Sequence, residues 1–237
     1  MAIDSWVSNE FSEVNLGDFR LNQRIVKVGS DLLKATSGTV YGSVSGAAEM
    51  KAAYRLFDNP AIKFNEIFSP HFSRTIERAN QSKDIFIIQD TTTLDYTCHR
   101  KTRDLYPLQK SSKYDAPMKG MFMHTALVLD SKFFPIGLSY LDFLGYSGNK
   151  GIPGSQSIKP IEQKFSFRWL RGIEAGKYMH NSGRVVHVCD REGDIFELLQ
   201  KVNEQGQSFV IRSMNNRMAG KSVTEAVKWN PKPLIQS

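Results

Sequence analysis

The sequence predicts an α/β protein: a mixed sheet flanked by helices, preceded by an all-helical N-terminal module. Three observations carry this expectation. Ile85-Phe86-Ile87-Ile88 is an unbroken apolar run of strand length, the pattern of a strand buried on both faces of a sheet. Val185-Val186-His187-Val188-Cys189 repeats the pattern later in the chain. Upstream of both, Trp6 to Asn80 reads as helical.

The elements follow in order. Asn15-Leu16-Gly17-Asp18 supplies turn chemistry and a cap, after which Leu21, Ile25, Val28, Leu32 and Leu33 recur at helical spacing. Arg20, Arg24, Lys27, Asp31 and Lys34 lie off that apolar stripe, the first three on one face. Such a face is either solvated or in contact with phosphates. Thr36 to Gly46 is rich in Ser, Thr and Gly and reads as a loop. Ala47 to Phe57 is alanine-rich and helical, ended by Asp58-Asn59-Pro60, and a further helix runs from Lys63 or Phe64 towards Ala79. Residues 1–80 therefore form a helical unit and residues 81–237 a sheet-containing one.

The first strand delivers Asp90 at its C-terminal end, followed by three threonines and Leu94-Asp95-Tyr96. Thr97 to Gly120 is polar and basic and reads as a long exposed loop. Met121 to Leu129 and Phe133 to Tyr140, joined by Asp130-Ser131-Lys132, predict a hairpin beside the first strand. Gly145 to Pro160 is a glycine-rich linker, read as mobile. Ile161 to Met179 predicts a helix with Phe165, Trp169, Ile173 and Tyr178 inward. The second apolar strand delivers Asp190, and Asp194 is the expected N-cap of a helix reaching Glu204. Ser208 to Arg212 is another buried strand and Ser222 to Trp229 a short helix. The order β-β-β-α-β-α-β, with acids ending the first and fourth strands, is a ribonuclease H-like topology.

The totals narrow the function. No run approaches the length of a membrane span, and the N-terminus lacks the basic head and apolar core of a secretory signal. Two cysteines, Cys98 and Cys189, make neither a disulfide framework nor a metal knuckle, and fit free thiols in a reducing cytoplasm. The formal net charge of +7 favours an anionic partner. Acids and bases nearly balance up to Asn80, and the basic surplus lies from Arg100 onward. There is no P-loop, no dinucleotide fingerprint and no convincing serine–histidine pair.

In open α/β sheets, sites lie outside the C-terminal strand ends. Two carboxylates at adjacent ends suit hard divalent cations such as Mg²⁺ or Mn²⁺, and a pair of such ions serves phosphoryl transfer. Each aspartate could instead simply cap a turn. His124, within the hairpin, reads as a structural histidine.

Several stretches resemble bacterial cut-and-paste transposases of the insertion-sequence type with a DDE site, such as that of the kanamycin-resistance composite transposon. Ile88-Gln89-Asp90-Thr91-Thr92-Thr93-Leu94-Asp95-Tyr96 is similar to their first acidic motif, and Val188-Cys189-Asp190-Arg191-Glu192-Gly193-Asp194-Ile195 to their second. Ser208 to Ser213 resembles the strand that follows. Leu16-Gly17-Asp18-Phe19-Arg20 and Ala53-Tyr54-Arg55-Leu56-Phe57-Asp58-Asn59-Pro60 resemble their N-terminal DNA-binding module. The resemblance implies that Asp90 and Asp190 are metal-binding catalytic carboxylates using Mg²⁺ or Mn²⁺. It implies that Arg20, Arg24, Lys27 and Lys34 lie on the module that grips double-stranded DNA at transposon ends, and that Arg212 faces DNA near the active site. It further implies a cytoplasmic, nucleoid-associated bacterial protein, paired with itself or with a full-length transposase.

The chain also departs from that pattern. The family's third acid is a glutamate on a late helix, beyond a β-rich insertion that follows the Arg212 strand. The expectation is a truncated transposase that binds DNA without efficient cleavage. The alternatives are a non-catalytic DNA-binding fragment acting as inhibitor or relic, and a ribonuclease H-like nuclease using Glu225 as its third carboxylate.

Overall fold

The computed structural model describes residues 3–35, 39–99, 101–103, 105–110, 117–145, 160–179 and 183–214. The expected linker over 146–159, the short helix at 222–229 and Glu225 lie outside the described residues.

The N-terminal part is built of α1 (Ile3–Glu10), α2 (Phe19–Lys34), α3 (Val40–Ser43), α4 (Ala47–Phe57) and α5 (Phe64–Asn80). Asp18 caps α2 as its side chain accepts the Arg20 amide at 2.6 Å, satisfying one of the orphan donors of the first turn. The apolar stripe of α2 then packs Ile25 and Val28 against Ala53 and Leu56 of α4, with Val14 closing the cluster. Leu32 joins that cluster, whereas Leu33, expected on the stripe, is exposed. Position 33 is rotated one residue past the buried face, by about 100° at 3.6 residues per turn.

The sheet holds β1 (Ile85–Asp95), β2 (Tyr106–Lys110), β3 (Pro117–Leu129), β4 (Pro135–Leu144), β5 (Val185–Cys189) and β6 (Ser208–Ile211). β1 runs antiparallel to β3 and parallel to β5, which is parallel to β6; β3 pairs on its other side with β2 and β4. A central strand flanked by an antiparallel hairpin on one side and two parallel strands on the other is a ribonuclease H-like sheet. α6 (Phe167–Gly176) and α7 (Phe196–Glu204) provide the crossovers.

Alternation along β1 decides what each face does. Ile85, Ile87 and Gln89 point to the face covered by helices and are fully buried, while Asp90 is exposed on the opposite side. Ile85 and Ile87 share a core with Ala79 of α5, Ala126 and Val128 of β3, and Met179. Trp169 and Ile173 of α6 pack with Cys189 and with Leu198 and Val202 of α7 in a second core. α5 therefore ends the helical part and covers the sheet as well. Its approach is close: a Cβ at Gly137 on β4, where φ is 150°, would lie 2.0 Å from Thr75 Oγ1.

Further expectations are corrected: Thr36 to Gly46 is not all loop, since Val40–Ser43 forms α3, and Ser208 to Arg212 is not buried, since β6 ends the strand order with Phe209 and Val210 exposed. The stretch from Thr97 to Gly120 is not all loop: Tyr106–Lys110 forms β2, and β3 already begins at Pro117. Pro107 and the polar residues around it conceal a strand, yet proline is tolerated at a sheet edge, where no ladder donor is needed. The helix from Ile161 to Met179 is broken into a 3-10 turn, Ile161–Gln163, and α6. Tyr178 lies beyond α6 and is exposed, with Lys177 Nζ 4.8 Å above its ring. Asp194 does not cap α7, whose N-cap is Ile195; its carboxylate instead accepts the Met214 amide at 2.8 Å.

An ion cluster that sequence reading did not anticipate joins the helical part to the sheet. Glu10 of α1, 3% exposed, accepts two hydrogen bonds from Arg78 of α5 at 2.8 and 2.9 Å. His71 Nδ1 stands 2.6 Å from the same carboxylate. Arg78 also donates to the Ile136 carbonyl, and His71 Nε2 accepts the Leu138 amide, both on β4. Because Nε2 is an acceptor, the proton of the neutral ring sits on Nδ1 and is given to Glu10.

Candidate functional site

The site begins with strand register. Gln89 on β1 pairs with Cys189 on β5, and Cys189 with Ile211 on β6. The next residues are Asp90, Asp190 and Arg212, so three charged residues stand in a row where the parallel pairing of β1, β5 and β6 stops. Asp190 and Arg212 lie just beyond their strands, whereas Asp90, expected at the end of the first strand, sits midway along β1, which runs on to Asp95 against β3. Neighbouring strands lie about 4.8 Å apart, which puts adjacent side chains of the row within reach of one small ligand. All three are exposed. The Arg212 amide donates to the Cys189 carbonyl at 3.2 Å, extending the parallel pairing to the row itself.

Asp190 is oriented locally. Its carboxylate accepts the Glu192 amide at 2.8 Å and so caps the 3-10 turn Arg191–Gly193. Asp90 makes no side-chain hydrogen bond with any described residue. Two exposed carboxylates with spare oxygen lone pairs are a donor set suited to Mg²⁺ or Mn²⁺, which take oxygen ligands and keep part of their water. Among the described residues, no group of three His, Cys, Asp or Glu side chains comes together.

Behind the row lies a buried polar chain. His124 on β3 is fully buried, with Nδ1 2.8 Å from Thr91 Oγ1 and Nε2 3.1 Å from Gln89 Oε1. Burial, reinforced by the Arg168 charge, pushes His124 down to about 3, so the ring is neutral. The amide oxygen can only accept, so the ring proton is on Nε2 and Nδ1 accepts the Thr91 hydroxyl proton. Thr91 Oγ1 in turn accepts from Arg168 Nε at 2.9 Å. α6 is brought close enough for this by Gly172, where a Cβ would lie 2.1 Å from Gln89 Oε1. The expectation that His124 is structural fits this setting, whereas Arg168 was missed. Its signal is present in the sequence: Arg168, Gly172 and Gly176 recur at four-residue spacing, a line of close approach that carries the arginine inward.

The cations of the helical part divide. Arg24 donates to Glu49 of α4 at 2.7 Å, and Lys27 pairs with Asp31 at 2.8 Å and more loosely with Glu49 at 3.9 Å. Arg20 is exposed on the first turn of α2 and has no ion pair among the described residues. Lys34 is exposed in the last turn.

Residues 3–62 match the protein family described as transposase DNA-binding. That segment runs from α1 to the turn before α5, and contains Arg20, Arg24, Lys27 and Lys34. A solved structure, the crystal structure of the Mos1 strand transfer complex, is similar at 10% identity over 60% of this chain, with a TM-score of 0.27. The similar region spans 41% of that chain, and so loose a likeness carries no argument about chemistry. Among the described residues, no helix is long and apolar enough to cross a membrane.

Proposed function

We infer that this chain is a transposase-family protein of the bacterial insertion-sequence type. Residues 1–80 grip double-stranded DNA at transposon ends, and residues 81–237 carry Asp90 and Asp190 of a metal-dependent phosphoryl-transfer centre. The observation that supports this most is the row Asp90, Asp190 and Arg212 where the parallel pairing of three strands stops, in a chain whose residues 3–62 match a transposase DNA-binding family.

The roles follow from the chemistry of each side chain. Asp90 and Asp190 would hold Mg²⁺ or Mn²⁺ through carboxylate oxygens. The bound ions would activate the attacking oxygen and stabilise the leaving 3′ oxygen of a DNA strand. Arg212, next in the row, would neutralise the phosphate brought to that end. Arg20, Arg24, Lys27 and Lys34 would contact the duplex backbone, and Arg24 and Lys27 would exchange Glu49 and Asp31 for phosphate. Such a protein works on the nucleoid in the cytoplasm, as a homodimer or beside a full-length transposase.

A second reading, binding without cutting, is favoured by one observation: among the described residues, no group of three His, Cys, Asp or Glu side chains is arranged to hold a metal ion. Two assays separate the readings. In a mobility-shift assay with transposon-end DNA, either reading predicts affinity that falls steeply with salt, with a log–log slope of about −0.9 per phosphate neutralised. Nicking in Mg²⁺ or Mn²⁺ that disappears in Asp90→Asn establishes catalysis; a salt-dependent shift without nicking leaves the binder. No preference for any end DNA defeats both.

A further inference from the structure

Arg168 is 5% exposed, and a guanidinium withdrawn from water is tolerable only when its donors are met. Each of its three nitrogens has an acceptor. Nη1 donates to the Phe165 carbonyl at 2.6 Å, Nε to Thr91 Oγ1 at 2.9 Å, and Nη2 to the Glu192 carboxylate. The guanidinium carbon lies 4.0 Å from the centre of the Phe165 ring, which fixes its plane.

The partners are informative by position. Thr91 follows Asp90 on β1, and Glu192 lies two residues beyond Asp190. Successive residues of a strand point to opposite faces, so a Thr91 held on the helix-covered side commits Asp90 to the open side. In the 3-10 turn just beyond the neighbouring strand, Glu192 supplies the amide that orients the Asp190 carboxylate, and the same residue's side chain is held by Arg168. One buried side chain thus holds, through side-chain oxygens, a near neighbour of each acid.

We propose that Arg168 is a positioning residue that sets the separation and direction of the Asp90 and Asp190 carboxylates, so that they share one divalent cation. This rests on the reading of those acids as metal ligands. The fork geometry matters: a lysine would carry the charge but could not span Thr91, Glu192 and the Phe165 carbonyl together.

The test is a Mn²⁺ titration of the full chain, with free ion read by electron paramagnetic resonance and thermal unfolding measured in parallel. The wild type should bind Mn²⁺ in a manner lost in Asp90→Asn and in Asp190→Asn. Arg168→Lys should weaken that binding by about tenfold, the scale of a lost outer-shell contact. Glu192→Ala, changed at a side chain 60% exposed, should weaken it to a similar degree, and the double variant should be no weaker than the worse single one. A merely structural Arg168 would lower the melting temperature and leave the Mn²⁺ affinity of the folded protein unchanged. Wild-type affinity in Glu192→Ala and in Arg168→Lys, or losses that multiply in the double variant, would overturn the proposal. If Arg168→Lys does not fold, Glu192→Ala and Thr91→Val decide it by the same criterion. Absence of Asp90-dependent binding in the wild type is a separate outcome: it removes the metal reading itself, and the proposal with it.

Discussion

Gly172 on α6 lies against Gln89 on β1 so closely that a Cβ at position 172 would stand 2.1 Å from the Gln89 amide oxygen. That amide is buried and hydrogen-bonded to His124, so it cannot swing aside without breaking the polar chain behind the row. Gly172→Ala is therefore expected to destabilise the fold by about 1–3 kcal/mol, despite alanine's better helix propensity. Urea unfolding measures this; unchanged or greater stability would show that α6 can retreat at no cost.

The Glu10 cluster makes a second prediction. Glu10→Ala removes both acceptors of Arg78 and the partner of His71 Nδ1. The Arg78 side chain is about one-third exposed, so water recovers part of the loss, and a cost of about 2 kcal/mol is expected rather than the larger value of a fully buried pair. Hydrogen exchange should also rise along β4, which α5 holds through the Ile136 carbonyl and the Leu138 amide. Unaltered exchange there would deny the cluster its linking role.

Three histidines set a pH response. Burial lowers His71 against the opposing pull of Glu10, and holds His124 near about 3 and His187 near about 4. Unfolded histidine titrates at about 6.5, so below that pH the unfolded chain takes up protons that the native protein refuses. Stability is thus fully present above about pH 6.5 and is lost as pH falls, at up to about 1.4 kcal/mol per pH unit for each histidine. Urea midpoints should hold between about pH 7.5 and 6.5 and decline from there to about pH 5. A flat profile would mean that these rings protonate in place.

Glu49 tests the DNA-binding face. It neutralises Arg24 and, at longer range, Lys27. Glu49→Gln should free both for phosphate, tighten binding to end DNA severalfold and steepen its salt dependence, whereas Arg20→Ala should weaken binding and flatten the slope by about one unit. Equal affinities in all three proteins would place the duplex on another surface.

Much of the fold was legible because it depended on local chemistry. Asp18 reads as a cap from its neighbours alone, and α4 ends where Asp58-Asn59-Pro60 says it should. Ile85 to Ile88 could only be an interior strand, and its parallel partner carries the same apolar pattern. What stayed hidden depended on partners distant in the chain. β2 is an edge strand whose pattern Pro107 interrupts, and its pairing with Lys119 and Gly120 is invisible locally. Glu10 and His71 are separated by 61 residues, and nothing near either announces the other. Asp194 has the composition of a cap, yet spends its carboxylate on Met214. Arg168 lay in plain view on an inward helical line, but its meaning required knowing that Thr91 and Glu192 would meet it.

The central claim is that Asp90 and Asp190 hold one ion between them. Fe²⁺ substituted for Mg²⁺ generates hydroxyl radicals that cut the nearest backbone when ascorbate and peroxide are added. The account predicts cleavage beside both Asp90 and Asp190, suppressed by excess Mg²⁺ and abolished at both places by Asp90→Asn alone. Cuts beside one aspartate only, or cuts beside Asp190 that survive Asp90→Asn, would contradict it.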